Sequence, residues 1–404
     1  MKLQSLFGGA RLQMDESIDM TLTSLLAYGP THRHWAIAWS GGKDSTALLT
    51  LVMHLLDTGR VPRPETFTVL YADTRLELLP LYVSAGVIQH ELRRRGVDVR
   101  TVMAPLDKRF LVYVLGRGVP PPNNNTLRWC TRQIKVDPMA AELRRLVGDR
   151  GEKVLMLTGV RQGESAIRDG RIAMSCGRDG AECGQGWYQE TLPDQLCDTL
   201  APLLHWRVCH VWDWLMFHAP APEYGGWATS GVAEAYGGEE AEEINARTGC
   251  VGCPLAQRDT ALDAVLAQPE WAHLAPLKEI RPVWRELRRP QRRLRQPGGE
   301  ARADGSLSKN QQRLGPLTLD ARRWALGQVL GIQRRVNEAA RAEGRPPVDL
   351  LDAEEEARIR DLIEAGTWPQ RWTGEEPRGD VPLDAVFADG SVQPLLPWDV
   401  EAAG

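Results

Sequence analysis

The stretch Trp35–Thr46 constrains the fold of this chain more than any other, because it reads W-A-I-A-W-S-G-G-K-D-S-T before a leucine-rich run. Its apolar residues predict a short strand that ends at Ser40, and the spacing of the leucines predicts a helix that begins near Asp44–Ser45. Gly41 and Gly42 lie between these elements and allow a tight turn whose N–H groups approach a ligand closely, since glycine has no Cβ. The segment is therefore predicted to fold as strand, glycine turn and helix.

This turn has the charge distribution of an anion site. A helix N-terminus directs partial positive charge at a bound anion, and Lys43 adds a full charge. A Walker A loop would have a glycine five residues before the Gly-Lys pair and a Ser or Thr directly after the lysine, where this chain has Ile37 and Asp44. The turn is therefore a different kind of phosphate loop, with a plain glycine turn and a surface lysine as the alternative.

Strand-like and helix-like segments alternate along the first half of the chain. The predicted strands are Trp35–Trp39, Phe67–Tyr71, Val99–Met103 and Val154–Thr158, and the predicted helices between them are Ser45–Thr58, Leu79–Arg95 and Ala140–Val147. This alternation predicts an α/β fold with a doubly wound parallel sheet. Ligands of such a sheet bind at the carboxyl ends of the strands, so Ser40, Asp73 and Gly159 are expected to converge. Further on, His205–Phe217 is predicted to be a helix and Pro220–Gly238 a loop.

The C-terminal part of the chain has a different composition. Lys278–Arg335 is strongly basic although the whole chain carries a net charge of −4, and the tail from Asp349 is acidic. Within the basic stretch, Leu317–Glu338 reads as a long amphipathic helix. We predict two domains, residues 1–255 and a mainly helical region 256–404. The basic stretch favours binding to nucleic acid through phosphate contacts, and its alternative is a solvated helical face.

Two further features bear on the class of protein. No apolar run approaches the roughly 20 residues of a membrane span, and the first residues lack a signal-peptide pattern, so a soluble cytoplasmic protein without membrane contact is expected. Seven cysteines in such a chain do not suggest a disulfide framework. Cys250 and Cys253 form a C-x-x-C pair, which indicates a metal or redox role. Cys197 and Cys209 are expected to be buried, as free cysteines often are.

The segment Ser40–Ser45, S-G-G-K-D-S, resembles the pyrophosphate loop of the PP-loop ATP pyrophosphatases, a superfamily that includes PAPS reductases, tRNA thiolation enzymes and the DNA sulfur-modification protein DndC. Other segments resemble the PAPS reductase branch in the same order: Ala72-Asp73-Thr74, Arg128–Thr131 with Lys135, Gly159-Val160-Arg161 with Glu164 and Arg168, and Trp206–Trp214. By this resemblance the chain binds ATP through Ser40, Gly41, Gly42, Lys43, Asp44, Ser45, Asp73, Thr74, Gly159 and Arg161.

The same resemblance makes Lys43 and Asp44 the catalytic residues. Asp44 is expected on the Mg²⁺ side of a bound ATP, because a hard cation that bridges phosphates takes carboxylate oxygen. The alternative for Asp44 is a helix N-cap. Arg161 is expected in a basic cluster beside the phosphates, with a surface arginine as the alternative.

The cysteines indicate a metal centre, since thiolates are soft ligands that suit zinc or an iron–sulfur cluster. Cys130 matches the family's cysteine after the third strand. Resemblance to the APS reductases implies a [4Fe–4S] cluster, although Trp129 occupies the place of one of their ligands. We predict Cys130, Cys183, Cys250 and Cys253 as ligands, with Cys176 or an open iron site as alternatives to Cys183 and structural zinc as the alternative to the cluster.

The subclass follows from the residues after the cysteines. No cysteine follows Cys253, so the sulfite-forming cysteine of PAPS and APS reductases has no counterpart, and Arg313–Arg323 resembles the corresponding segment of DndC-like proteins. The cysteine-containing loop Gly170–Gly186 departs from the DndC pattern. The resemblance implies an ATP pyrophosphatase that activates phosphate for sulfur incorporation in DNA phosphorothioation. Its expected partners are DNA, a cysteine desulfurase as sulfur donor and other DNA sulfur-modification subunits.

Four alternatives stay open. The first is an SspD-like or other PP-loop protein of phage defence, and the second is a tRNA thiolation enzyme with the same activation chemistry. The third is a PAPS/APS reductase-like enzyme. The fourth, from a different class, is a non-catalytic nucleotide-sensing subunit of a DNA complex.

Overall fold

The computed structural model of the chain describes residues 13–123, 128–162, 196–236, 249–296, 313–381, 385–386 and 391–393. The chain divides into two compact units. The first unit comprises Met1–Met103, Lys135–Gly249 and Thr260–Pro269, and the second comprises Ala104–Ile134, Cys250–Asp259 and Glu270–Gly404. The predicted domains 1–255 and 256–404 stay a prediction about independently folding parts, whereas the units group residues by proximity.

The first unit is built on a five-stranded parallel sheet. Its strands are β1 (His34–Trp39), β2 (Thr66–Asp73), β3 (Asp98–Met103), β4 (Val154–Leu157) and β5 (Cys197–Leu200), in the spatial order β3-β2-β1-β4-β5. The prediction of a parallel α/β sheet is confirmed. The strand order changes direction between β1 and β4, and in such sheets the crevice at that point is where ligands bind.

One strand, β5, was not predicted. Its four residues, C-D-T-L, are too few to show a period, and a polar residue interrupts them. It lies at the edge of the sheet and pairs with β4, where Leu155 is opposite Asp198.

Helices cover both faces of the sheet, as a doubly wound fold requires. The helices of the first unit are α1 (Met14–Tyr28), α2 (Lys43–Asp57), α3 (Leu79–Arg94), α4 (Asp137–Arg150), α5 (Val208–Asp213), α6 (Ser230–Glu234) and α7 (Thr260–Leu266). Successive strand residues point to opposite faces. Ile37 accordingly packs in the core formed by α1, α2, α3 and α5, whereas Ala36 packs in the core formed by α4.

Two predicted segments of the first unit differ from the structure. The predicted helix His205–Phe217 begins only at Val208 and widens into the π-helical turn Trp214–His218. The predicted loop Pro220–Gly238 contains the 3₁₀ turn Pro222–Tyr224 and the helix α6. The predictions missed these turns because each is five residues or shorter and shows no apolar period.

The second unit is mainly helical in its described residues. Its helices are α8 (Ile280–Glu286), α9 (Leu319–Ala342) and α10 (Ala353–Glu364). Further helical segments are the 3₁₀ segments Leu106–Lys108, Pro269–Glu279 and Pro290–Arg292 and the π-helical segments Val112–Gly116 and Arg132–Val136. Pro269–Glu279 and Arg132–Val136 include residues that are grouped with the first unit. A small antiparallel pair joins β6 (Ala385–Val386) and β7 (Val392–Gln393). The predicted amphipathic helix is α9, whose N-cap Thr318 accepts a hydrogen bond from the Ala321 amide.

Part of the basic stretch is structural rather than exposed. Arg293, Arg295 and Arg322 have exposed fractions of 8%, 4% and 0%. The Arg322 guanidinium donates to the backbone carbonyls of Leu317, Gly116 and Thr367, and it lies 4.3 Å from the Trp368 ring centroid. Burial lowers the pKa of Arg322 to about 9.

No helix in the described residues is long and apolar enough to span a membrane.

Candidate functional site

The turn after β1 folds as the sequence predicts. Gly41 has a φ of +73°, the left-handed conformation that favours glycine. The helix α2 begins at Lys43 and has Gly42 as its N-cap, with no side-chain cap. The Lys43 amide, the first of the helix, donates to the Tyr236 hydroxyl at 3.2 Å. The helix dipole and the first turn of α2 still favour an anion at this end.

Serine side chains hold the turn together. The hydroxyls of Ser40 and Ser45 lie 3.2 Å apart, and the Ser45 hydroxyl donates to the Gly42 carbonyl at 3.1 Å. Next to them, the Trp39 indole N–H donates to Thr46 Oγ1 at 2.9 Å. Residues Ser40–Ser45 therefore form one turn that local hydrogen bonds brace.

Two cations and one carboxylate lie around the N-terminus of α2. Lys43 Nζ is 3.1 Å from Asp44 Oδ2, while Arg161 Nε donates to Asp44 Oδ1. Arg161 also donates from Nη1 to the Trp206 carbonyl at 3.3 Å and is only 5% exposed. The local balance is one net positive charge in addition to the helix dipole, which favours an anion.

Asp44 is not the N-cap of α2, and its carboxylate is paired with two cations. The N-cap of α2 is Gly42, so Asp44 lies inside the first turn. Each of its carboxylate oxygens already has a cationic partner, one in Lys43 and one in Arg161. The N-cap alternative is therefore wrong, and the role of Asp44 on the Mg²⁺ side of a bound ATP stays a prediction.

Gly159, at the end of β4, brings a second strand to the same place. A Cβ on Gly159 would lie 2.8 Å from backbone atoms of Asp44 and Ser45, closer than side chains are found. Only glycine therefore lets the end of β4 approach the N-terminus of α2 this closely. The end of β4 therefore reaches the turn that begins at Ser40, as expected, whereas the expected approach of Asp73 to this turn stays a prediction.

The end of β2 carries a network of buried polar groups. Asp73 and Thr74 are 7% and 4% exposed, and the Asp73 carboxylate accepts from the Arg75 amide at 2.8 Å. The Thr74 hydroxyl donates to Glu77 Oε1 at 2.5 Å. Burial raises the pKa of Glu77 above 4.5, and the nearby Asp73 raises it further. Glu77 was not predicted, although its position three residues after a threonine is a signal for this local hydrogen bond.

Tyr236 is a second residue that sequence reasoning missed. Its hydroxyl accepts from the Lys43 amide at 3.2 Å, and Lys43 Nζ lies 5.0 Å from the centroid of its ring. It follows α6, inside the predicted loop, and 193 residues separate it from Lys43 in sequence. No local pattern indicates such a contact.

The described cysteines of the predicted metal centre lie in the second unit. The Cys253 amide donates to the Cys250 carbonyl at 3.1 Å, so the C-x-x-C segment forms a turn. The Trp284 indole N–H donates to the carbonyl of Gly252 within that turn at 3.0 Å. Burial raises the pKa of Cys130, and the nearby Cys253 raises it further.

Three thiols of this kind fit the soft-ligand chemistry of an iron–sulfur cluster or zinc. In the part of the chain that the structure describes, no group of three His, Cys, Asp or Glu side chains is arranged to hold a metal ion. Cys183, its alternative Cys176, and Glu164 and Arg168 lie outside the described residues. The cluster and the zinc alternative stay predictions.

Arginines of the basic stretch brace the cysteine turn. Arg288 Nη2 donates to the carbonyls of Pro122 at 3.1 Å and Pro254 at 2.9 Å, which joins the segment before Cys130 to the segment after Cys253. Arg281 donates to the Gln257 carbonyl at 2.9 Å. Burial lowers the pKa of Arg288. These residues therefore have a structural role that their charge did not predict.

The remaining cysteine prediction is half right. Cys197 is buried, as expected, whereas Cys209 is exposed. Cys209 lies in the first turn of α5, which begins at Val208, and its burial was predicted from residue type alone.

Comparison with known proteins finds one matching family model and several similar solved structures. Residues 34–220, less than half of the chain, match the model of the phosphoadenosine phosphosulfate reductase domain. This match supports a PAPS reductase domain of the PP-loop superfamily over those residues and leaves the DndC-like subclass a prediction. No curated protein matches the chain.

Solved structures similar to the chain include three enzymes. FMN adenylyltransferase of Candida glabrata, in complex with FMN and an ATP analogue, is 16% identical over 50% of this chain and 57% of that chain, with a TM-score of 0.32. PAPS reductase of Candida auris, a phosphate complex, is 12% identical over 52% of this chain and 90% of that chain, with a TM-score of 0.32. The U34-tRNA thiolase NcsA of Methanococcus maripaludis, with its [4Fe–4S] cluster, is 12% identical over 68% of this chain and 79% of that chain, with a TM-score of 0.34.

Proposed function

We propose that this chain is an ATP pyrophosphatase that activates an acceptor phosphate for sulfur incorporation. The observation that carries the proposal is the N-terminus of α2 between the ends of β1 and β4. Its N-cap is a glycine, and Lys43 and Arg161 lie beside it. It combines backbone donors, a helix dipole and net positive charge at the edge of a parallel sheet where nucleotides bind.

The chemistry follows from where charge develops. An acceptor phosphate oxygen attacks the α-phosphorus of ATP, the bond from that phosphorus to the bridging oxygen breaks, and pyrophosphate leaves. Lys43 and the first amide groups of α2 stabilise the negative charge that grows on the leaving pyrophosphate. Arg161 holds Asp44 in place between itself and Lys43.

A sulfur nucleophile then attacks the phosphorus of the adenylated acceptor. The bond from this phosphorus to the adenylated oxygen breaks, and AMP leaves with that oxygen. We propose a cysteine desulfurase as the donor of this sulfur, with a thiol as the reductant that releases it from the persulfide. If a [4Fe–4S] cluster is bound, Cys130, Cys250 and Cys253 are the described residues that would hold it, and it would supply a soft site for sulfur.

The acceptor that we propose is DNA, with other DNA sulfur-modification subunits as partners. The support is the resemblance of Arg313–Arg323 to DndC-like proteins and the basic composition of Lys278–Arg335. Arg289 and Arg335 in this stretch are exposed, so phosphate groups in solution reach them.

The test is product analysis with ATP labelled at the α-phosphate, with duplex DNA or tRNA added. We expect AMP and pyrophosphate, formed faster with DNA, and we expect Lys43→Ala to abolish their formation. Lys153→Ala is the matched control, because Lys153 is half-exposed and pairs with Asp198 away from the turn. ADP and phosphate as products, or equal activity in wild type and Lys43→Ala, would contradict the proposal, and stimulation by tRNA alone would replace DNA as the acceptor.

A further inference from the structure

Tyr236 holds Lys43 from two sides. Its hydroxyl accepts from the Lys43 backbone N–H at 3.2 Å, and its ring lies 5.0 Å from the Lys43 ammonium. The first contact fixes the start of α2, and the second is within the range of a cation–π interaction. One side chain therefore contacts both parts of the lysine on which the phosphate site depends.

The tyrosine is itself fixed by packing. It is 4% exposed, and its ring meets Trp212 edge to face at 5.3 Å between centroids. Trp212 is 1% exposed and belongs to α5. The hydroxyl lies close over the turn, since a Cβ placed on Gly42 would be 3.2 Å from it. Tyr236 is therefore a rigid part of the wall beside the turn.

The ring of Tyr236 and the carboxylate of Asp44 both attract the Lys43 ammonium. Lys43 Nζ is 3.1 Å from the Asp44 carboxylate, which already receives a hydrogen bond from Arg161. Without the aromatic face, the ammonium group keeps only the carboxylate as a fixed neighbour. An ammonium paired more closely with a carboxylate has less attraction left for a phosphate.

We propose that Tyr236 is a positioning residue of the phosphate site. It fixes the start of α2 through the Lys43 N–H and shares the Lys43 ammonium with Asp44, so that the carboxylate does not hold this ammonium alone and the ammonium stays available to the phosphates. This inference rests on the proposed function, because it requires that Lys43 bind phosphate. It adds a residue outside all the motifs that the sequence analysis identified. Its effect is confined to the phosphate end of the nucleotide.

The experiment measures the dissociation constants of ATP, pyrophosphate and adenosine by calorimetry for the full chain and its variants. Tyr236→Leu removes the ring and the hydroxyl. It is expected to raise the dissociation constants of ATP and pyrophosphate about 10-fold and to leave that of adenosine unchanged. Tyr236→Phe keeps the ring and is expected to restore most of that loss. Tyr224→Leu is the control, because Tyr224 packs on Trp214 and His54 and not on Lys43.

The outcomes separate this inference from the proposed function. Equal weakening of ATP and adenosine by Tyr236→Leu would overturn it, since that is the result of a merely structural tyrosine. Unchanged ATP affinity in Tyr236→Leu would also overturn it. Tighter ATP binding in Tyr236→Phe would overturn it as well, because the hydroxyl would then compete with phosphate for the Lys43 amide. Failure of the wild-type chain to bind either ATP or pyrophosphate would instead refute the proposed function on which the inference depends.

Discussion

The turn after β1 and the cysteine turn are built in opposite ways. The first is contiguous, and its own serines and glycines fix its shape, with Ser40 and Ser45 in contact across it. The second combines Cys130 with the Cys250–Cys253 turn, and its backbone carbonyls depend on a distant arginine, Arg288. The turn after β1 is visible in the sequence because its residues are contiguous. The cysteine pattern is visible too, but the sequence does not indicate that Arg288 supports it, because Arg288 lies 34 residues from Pro254.

The largest effect is expected from the buried arginine of the second unit. Arg322→Ala leaves the carbonyls of Leu317, Gly116 and Thr367 without their donor in a buried place. We expect a loss of about 3 kcal/mol in the free energy of unfolding, measured in urea. The neighbouring Arg323→Ala, at an exposed arginine paired with Asp320, should change it little. Equal effects of the two substitutions would refute a structural role for Arg322.

The next prediction concerns the contiguous site. Gly159→Ala places a Cβ 2.8 Å from the backbone of Asp44 and Ser45, so the turn or β4 must move. We expect about 2 kcal/mol of destabilisation together with a loss of ATP binding. Gly148→Ala is the control, because Gly148 lies inside α4 with open space around it and alanine favours a helix. Normal ATP binding by Gly159→Ala would show that the close approach of β4 is unnecessary.

A smaller effect is expected from the brace of the cysteine turn. Arg288→Ala removes the donor to Pro122 and Pro254 and should cost about 1 kcal/mol of stability. It should also reduce the iron or zinc bound per chain after anaerobic purification, as measured by metal analysis. Arg289→Ala, next in the chain and paired with Glu286 at the surface, should retain both. Full metal content in Arg288→Ala would show that metal binding does not need the hydrogen bonds of Arg288.

The smallest effect is a pH dependence. Burial raises the pKa of Glu77 in the folded chain above its value of 4.5 when unfolded. The folded state therefore binds this proton more tightly, and its contribution to stability is present below pH 4.5 and is lost as the pH rises through the folded pKa. Compared with Glu77→Gln, the wild type should lose at most about 1 kcal/mol per pH unit in that window. A constant difference between the two across pH would contradict this assignment.

The sequence predicted the structural features that depend on residues close together in the chain. The strand, turn and helix around Ser40–Ser45 follow from local spacing, and the parallel sheet follows from the alternation of elements. Tyr236 could not be predicted in the same way, because its contact with Lys43 joins positions 193 residues apart. The basic stretch was misleading in part, because charge indicates a surface whereas Arg322 is satisfied by buried carbonyls.

Our central proposal is that the turn after β1 holds the phosphates of ATP. Hydrogen exchange of the backbone amides, measured with and without ATP, tests it directly. Exchange of the amides of Gly41 to Thr46 should slow on addition of ATP in the wild type and not in Lys43→Ala. Protection elsewhere in the chain with no change in this turn would contradict the claim.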